Sequence, residues 1–236
     1  MKVGIIGAGN LGMALAKNAS RNAEVTAVKR NVVDVEGVKV VDRMEEVRDC
    51  DIIFVALKPD VFRKELEKIG GIAGNKPVVS FAAGVKLEEM EKCIKKPYRA
   101  MTNLAIEHRS LIAYYPAETL QQISFLDAEF VECNSERELD VMTAYIGSSP
   151  GILAYLLHAF ILSAIRDGVD YEKAVRIAVS SFKSTAELYG RYGLEGMVRK
   201  IATPGGTTIE GIIRVEEVQS ALIEALSSAS SKAKVV

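Results

Sequence analysis

Lys2-Val3-Gly4-Ile5-Ile6-Gly7-Ala8-Gly9-Asn10-Leu11-Gly12 follows the initial methionine. A short apolar strand runs directly into a glycine turn, and helix-forming residues begin at Asn10. Each glycine has its own physical task. Gly7 permits the tight turn, Gly9 lets a pyrophosphate come close to the backbone, and Gly12 lets the new helix lie against its strand. Gly7, Ala8, Gly9, Asn10, Leu11 and Gly12 are therefore candidate contacts to a dinucleotide. As a bare pattern the motif is a glycine-rich turn and no more; its place at the first strand–helix junction is what gives it meaning.

Outward from that junction, strand and helix signals alternate. Strands are expected at Lys2–Ile6, Glu24–Val28, Val38–Val41, Asp51–Ala56, Pro77–Phe81 and Tyr98–Met101. Helices are expected at Asn10–Ser20, near Met44–Val47, at Pro59–Ile69 and at Leu87–Ile94. Apolar strands alternating with helices predict an α/β fold, with a doubly wound parallel sheet of the Rossmann type. Leu111–Tyr115 and Ala128–Cys133 read as two further strands around a helix at Ala117–Phe125. From Ser135 the pattern is helical throughout, interrupted at Gly147–Pro150, Gly168–Asp170, Gly190–Gly193 and Pro204–Gly206. This predicts a dinucleotide domain over residues 1–134 and an all-helical domain over 135–236, with a fraying tail at Ser227–Lys234.

The end of the second strand selects the dinucleotide. NAD-specific folds place an acid about twenty residues past the glycines, to bind the ribose 2′-hydroxyl. Here the place is taken by Ala27-Val28-Lys29-Arg30-Asn31, with no carboxylate. Lys29 and Arg30 suit a 2′-phosphate, so NADPH is expected ahead of NADH; the plainer reading makes both solvated surface cations. Lys58-Pro59 and Ala82-Ala83-Gly84 end later strands, where open α/β sheets bind their ligands.

Composition excludes several classes. Of 236 residues, 49% are hydrophobic and 26% charged, with a formal net charge of −1, as in an ordinary globular protein without a basic surplus for nucleic acid. Three separated cysteines and two histidines predict neither a disulfide framework nor a metal cluster, and suit a reducing cytoplasm. No uninterrupted apolar run approaches the roughly eighteen residues of a membrane span, and Met1–Ile6 does not read as a secretory leader. Ile152–Ile165 reads as a buried helix.

Near the other end of the chain stands Thr203-Pro204-Gly205-Gly206-Thr207-Thr208, between two helical segments, Leu194–Ile201 and Thr208–Val218. A proline and two glycines turn the backbone sharply, and two threonines stand where the next helix begins. Free N–H groups and hydroxyls at such a place suit a small anion such as a carboxylate.

Together these motifs resemble the pyrroline-5-carboxylate reductase family over nearly the whole chain. The residues that carry the resemblance are Gly7–Gly12, Val55-Ala56-Leu57-Lys58-Pro59, Ser80-Phe81-Ala82-Ala83-Gly84, Arg99-Ala100-Met101-Thr102-Asn103 and Thr203–Thr208. The resemblance implies hydride transfer from NAD(P)H to a cyclic imine carboxylate, giving proline. It also implies a helical domain that pairs with a second copy in a homodimer or larger assembly. Residue by residue, it gives Thr208 the carboxylate contact and with it the catalytic assignment. Thr203, Gly206 and Thr207 become further substrate contacts, Lys58 and Pro59 flank the cofactor, and Asn103 lies at the nicotinamide end.

The chain departs from the family pattern at one helix start. The family's Gly-Ser-Gly-Pro-Ala-Tyr reads here as Gly147-Ser148-Ser149-Pro150-Gly151-Ile152-Leu153-Ala154-Tyr155, and Glu107-His108-Arg109 replaces small residues. β-Hydroxyacid dehydrogenases share the two-part plan, but they require a lysine and an asparagine on the helix after Gly151, and Ile152–Ile165 has neither. Reduction of another imine, a deazaflavin-linked reductase and a non-catalytic NADP-binding regulator are the alternatives. Two further residues have open readings. Arg99, at a strand start, could pair with a phosphate or be structural, and His158 reads as a hydrogen-bonded core residue rather than a catalyst.

Overall fold

The computed structural model describes residues 1–233. Its sheet has eight strands in the order β3-β2-β1-β4-β5-β6-β7-β8. They are β1 (Lys2–Ile6), β2 (Glu24–Val28), β3 (Val38–Val41), β4 (Ile52–Val55), β5 (Val78–Ser80), β6 (Pro97–Met101), β7 (Ser110–Tyr115) and β8 (Ala128–Glu132). All neighbours pair in parallel except β6 with β7, which are antiparallel. The strand order reverses direction between β1 and β4, the crevice in which doubly wound sheets bind nucleotides. The predicted Rossmann-type sheet is therefore present, and its central strands β4 and β5 are fully buried, because apolar runs such as Ile52-Ile53-Phe54-Val55 are covered on both faces.

Helices α1 (Asn10–Ala19), α2 (Pro59–Ala73), α3 (Leu87–Glu91) and α4 (Thr119–Ile123) connect the strands, with short 3₁₀ turns at Met44–Val47 and Leu104–Glu107. Val3, Ile5, Leu15, Phe54 and Val79 centre one core layer, and Ile6, Ile53, Phe62 and Ile69 the other. Helix α2 continues past Ile69, its expected end, to Ala73. A β-carbon at residue 70 would lie against the Cys93 carbonyl, so Gly70 serves close packing rather than termination.

Contacts divide the described residues into one compact unit of Met1–Ser148 with Ser228–Ala233, and a second of Ser149–Ser227. Sequence character changes earlier, at Ser135. Between the two points lie α5 (Glu136–Met142) and a π-helical segment, Thr143–Ser148. An ion-pair cluster fastens α5 to the sheet: Arg99 of β6, 1% exposed, donates to Glu136 at 2.7 Å and to Asp140 at 2.9 Å. Lys86 adds a further contact to Asp140, and the Leu87 N–H donates to Glu136 at 2.7 Å. Of the two open readings for Arg99, these contacts make it structural, through ion pairs the sequence reading did not foresee.

The helical part differs from expectation at three places. No break occurs at Gly147–Pro150; α5, the π segment and α6 (Ser149–Arg166) form one continuous helix, Glu136–Arg166. The break expected at Gly190–Gly193 falls at Gly193, whose φ of +64° interrupts α7 (Tyr171–Ile201). The expected helix Thr208–Val218 is divided into α8 (Thr207–Ile212) and α9 (Glu216–Ala233). The divide falls in Ile212-Ile213-Arg214-Val215, where β-branched residues disfavour helix, and Glu216-Glu217 open the new one in agreement with its dipole. Helix α9 also runs through most of Ser227–Lys234, so the expected fraying is not seen as far as Ala233; Lys234 lies outside the described residues.

Candidate active site

The turn after β1 is built as its glycines require. Gly7 takes φ +96°, the Ala8 N–H donates to the Val28 carbonyl at 2.9 Å, and the Gly9 N–H turns back to Gly7 at 2.7 Å. A β-carbon on Gly12 would sit 3.3 Å from the Ala56 side chain and inside the van der Waals shell of the Gly7 carbonyl. Gly9 is the opposite case: a β-carbon there would meet nothing within 4 Å. Helix α1 begins with no side-chain cap at Gly9 and no acid in its first turn. The N–H groups of Asn10, Leu11 and Gly12 thus point out of an uncapped helix end, an anion site with room above it. These features fit a bound pyrophosphate.

Lys29 and Arg30 follow directly on the C-terminal end of β2, with the Lys29 N–H on Val41 at 2.8 Å. Lys58 is the N-cap of α2 in extended backbone, Pro59 is the first helical residue, and the Val61 and Phe62 N–H groups donate to the Lys58 carbonyl at 3.0 and 2.9 Å. Within the sheet-bearing unit, the structure brings Gly7–Gly12, Lys29, Arg30, Lys58 and Pro59 to the C-terminal ends of β1, β2 and β4.

Asn103 follows β6, but its amide is engaged by protein. Its Oδ1 accepts from the Ala105 N–H at 2.9 Å and from Ser110 Oγ at 3.3 Å, and its Nδ2 donates to the Ile146 carbonyl at 3.0 Å. The turn after it is tied to α1. Buried Asn18 donates to the Ile106 carbonyl at 2.6 Å, and Lys17 meets Glu107 at 2.8 Å. That hydrogen bond from Lys17 holds the Glu107 carboxyl below the usual range. Glu107, which departs from the family pattern, is thus a tie between helix and turn.

In the helical unit, Thr203-Pro204-Gly205-Gly206 forms a hydrogen-bonded β-turn. The Gly206 N–H donates to the Thr203 carbonyl at 2.9 Å, and Gly205 takes φ +71°. Proline followed by a glycine of positive φ is the type II arrangement. A β-carbon on Gly206 would lie 2.5 Å from Thr203 Oγ1, so the threonine and the glycine are matched. Thr207 and Thr208 then open α8, and neither hydroxyl makes a hydrogen bond among the described residues. His158, expected in the core, is exposed on α6, because most of that helix has no cover within one chain.

Among the described residues no cluster of metal-ligating side chains occurs. An open, mostly parallel sheet with this glycine turn, continued by a long helical region, defines a dinucleotide-dependent oxidoreductase. Comparison with known proteins narrows the class. The chain is 31% identical to the pyrroline-5-carboxylate reductase of Aquifex aeolicus (strain VF5), with 99% of this chain and 97% of the relative aligned. It belongs to the pyrroline-5-carboxylate reductase family, NAD(P)-dependent oxidoreductases acting on CH–NH.

A family model described as pyrroline-5-carboxylate reductase dimerisation matches residues 136–236. One described as coenzyme F420-dependent NADP oxidoreductase matches residues 2–84. The chain is also 27% identical to the pyrroline-5-carboxylate reductase of Escherichia coli (strain K12), over 99% of its length and 97% of the relative's. Its fold is similar to that of the Plasmodium falciparum pyrroline carboxylate reductase solved with NADP bound. The TM-score is 0.89 at 20% identity, covering 100% of this chain and 97% of that one.

Sequence reasoning missed the tie between α5 and β6. Its signal was present: Glu136 and Asp140 stand four apart on one helix face, and Arg99 interrupts an apolar strand.

Proposed function

We propose that this chain is an NADPH-preferring pyrroline-5-carboxylate reductase, cytoplasmic and assembled as a dimer or larger homo-oligomer. Residues 1–134 would serve the cofactor, and 135–236 the substrate and the assembly. The observation that carries the reading is the closed turn at Thr203–Gly206, followed at a helix start by Thr207 and Thr208, whose hydroxyls make no hydrogen bond among the described residues. In that reading Thr208 holds the substrate carboxylate through its hydroxyl and N–H, while Gly206 and Thr207 offer backbone N–H groups and Thr203 supports the turn.

The uncapped start of α1 and the space over Gly9 would hold the pyrophosphate, Lys29 and Arg30 a 2′-phosphate, and Lys58 and Pro59 the flank of the cofactor. NADPH supplies the hydride when bound. A cyclic imine is readily protonated near neutral pH and is then already an electrophile. The residues need only bind and orient it, which agrees with the absence of a histidine or lysine general acid among the assigned residues.

Assembly is supported by the helical unit itself. Its buried core is three residues, Ile161, Ala174 and Ala178, whereas Leu153, Tyr155, Phe160 and Leu162 are exposed. Between α6 and α9 an apolar groove of about 520 Å³ is lined by Ile152, Tyr155, Leu156, Val218 and Leu222. Faces of this kind require a partner, and a second copy satisfies them. Helix Glu136–Arg166 is long and apolar enough to cross a membrane by length and composition alone, an 18-residue window within it having a mean hydropathy of 1.6. A helix covered by a second subunit meets the same test, and residues 136–236 match the dimerisation model.

Measuring NADPH and NADH oxidation with pyrroline-5-carboxylate tests the proposal. Substrate-dependent turnover with a lower KM for NADPH is expected. NADPH binding without turnover would instead support the regulator, and an NADH preference would remove the role of Lys29 and Arg30.

A further inference from the structure

Residues 81–86 lead from β5 to α3, and β5 lies beside β4 in the sheet. The first of them still follows the sheet, the Phe81 N–H donating to the Val55 carbonyl at 2.8 Å. Beyond that point side chains hold the segment. The Ala82 N–H donates to Ser80 Oγ at 3.2 Å, and Gly84 turns the chain with a φ of +70°. Arg63, one turn into α2, donates from Nη2 to the Gly84 carbonyl at 2.9 Å. Its Nε donates to Glu89 Oε2 of α3 at 2.8 Å, and Glu89 in turn accepts the Lys86 N–H through Oε1 at 3.2 Å. The hydrogen bond from Arg63 holds the Glu89 carboxyl below the usual carboxylate range. At the far end Lys86 meets Asp140 of α5, and the Leu87 N–H donates to Glu136.

The strand order sets out the two halves of a dinucleotide along these ends. The pyrophosphate belongs at the turn after β1, and the adenine ribose at Lys29 and Arg30 after β2. The nicotinamide half then belongs on the opposite side, toward β4 and β5. Two loops stand there, Lys58-Pro59 at the start of α2 and Ala82-Ala83-Gly84 after β5. Arg63 joins them: it stands on the helix that the first loop opens, and it bonds the backbone of the second. From this arrangement we infer that Arg63 is a positioning residue for the nicotinamide half of the cofactor, fixing the Ala82-Ala83-Gly84 loop against the start of α2. A planar guanidinium suits the task, because its fork serves the Gly84 carbonyl and the Glu89 carboxylate at once. The inference rests on the cofactor assignment within the reductase reading above.

Titrating the folded chain with NADPH and with 2′-phospho-ADP-ribose, the cofactor without its nicotinamide, tests it by calorimetry and independently of turnover. Arg63→Met removes the donors and keeps an apolar stem. It is expected to raise the NADPH Kd about five- to tenfold, while the Kd of 2′-phospho-ADP-ribose changes by less than about twofold. The kcat with pyrroline-5-carboxylate should fall about tenfold, since the nicotinamide is held less well in place. Glu89→Gln keeps an acceptor for the Lys86 N–H but removes the charge that orients the guanidinium. It should raise the NADPH Kd about two- to fivefold, again sparing the truncated ligand, and it carries the test should Arg63→Met fail to fold. Equal weakening of the two ligands, the mark of a merely structural role, overturns the proposal, as does an NADPH Kd unchanged in Arg63→Met. A wild-type chain that binds neither ligand would sink the cofactor assignment and the proposal with it. Binding of both without turnover would sink the reductase reading alone, and the two Kd values would still decide the role of Arg63.

Discussion

Substituting Gly9 separates binding from folding more cleanly than any other change in the dinucleotide turn. Gly9 has φ −73°, a value alanine adopts freely, and its added β-carbon would meet no atom within 4 Å. The folded chain therefore loses no packing in Gly9→Ala, while the unfolded chain loses freedom, a gain of about 0.4–1 kcal/mol. For a chain of this size that corresponds to a thermal midpoint raised by about 1–4 °C. The cofactor meets the opposite effect. The methyl stands in the space through which a pyrophosphate would approach the turn, and overpacking of this kind costs about 1–3 kcal/mol. NADPH should bind roughly 5- to 150-fold more weakly.

Gly12→Ala is the control. Its β-carbon would lie 3.0 Å from the Gly7 carbonyl carbon and closer still to the oxygen, so the backbone itself must move. That variant should lose about 1–3 kcal/mol of stability, lowering the midpoint by about 2–12 °C. Thermal unfolding followed by circular dichroism and NADPH fluorescence titration on the folded protein read both quantities. A Gly9→Ala protein as destabilised as Gly12→Ala, or one that binds NADPH like wild type, would refute the assignment of open space above the turn to the cofactor.

Three further predictions follow from the same geometry. Thr208→Ala should raise the KM for pyrroline-5-carboxylate by the equivalent of about 1–3 kcal/mol, as one hydrogen bond to a charged group is lost. The NADPH Kd should stay unchanged, and a loss there would move Thr208 out of the substrate site. Replacing Lys29 and Arg30 together by alanine should raise the KM for NADPH, most at low salt, and leave NADH nearly unaffected. Burial, with a smaller contribution from Glu138, pushes the Cys133 thiol from 9.0 up to about 11. The folded chain therefore keeps a proton that the unfolded chain gives up, so this contribution to stability is intact below pH 9 and fades as pH rises toward 11. Urea titrations should show a steeper decline over that range for wild type than for Cys133→Ala, and parallel declines would contradict the shift.

The sheet was legible because its signals are local. A buried parallel strand must be an apolar run, and a dinucleotide turn needs glycines at fixed offsets from the strand that feeds it. Gly7–Gly12, the strand boundaries and the Thr203–Gly206 turn each follow from constraints contained within a few residues. What the sequence did not disclose depends on partners distant along the chain. Arg99 is paired by two residues of α5, and nothing within its own strand distinguishes that from a phosphate contact. The exposed face of α6 reads as core from its composition, because the sequence records that a residue is apolar and not which chain covers it.

Pro150 shows most plainly how a local rule can mislead. Proline after glycine and serine signals an interrupted helix, yet the helix continues from Glu136 to Arg166. The rule describes an isolated helix of uniform register. Here the segment Thr143–Ser148 ahead of the proline is π-helical, and Asn103, 43 residues before Ile146, donates to the Ile146 carbonyl within it at 3.0 Å. A helix that adapts its register locally, and takes a hydrogen bond from another element, runs on through a proline that the local rule reads as a stop.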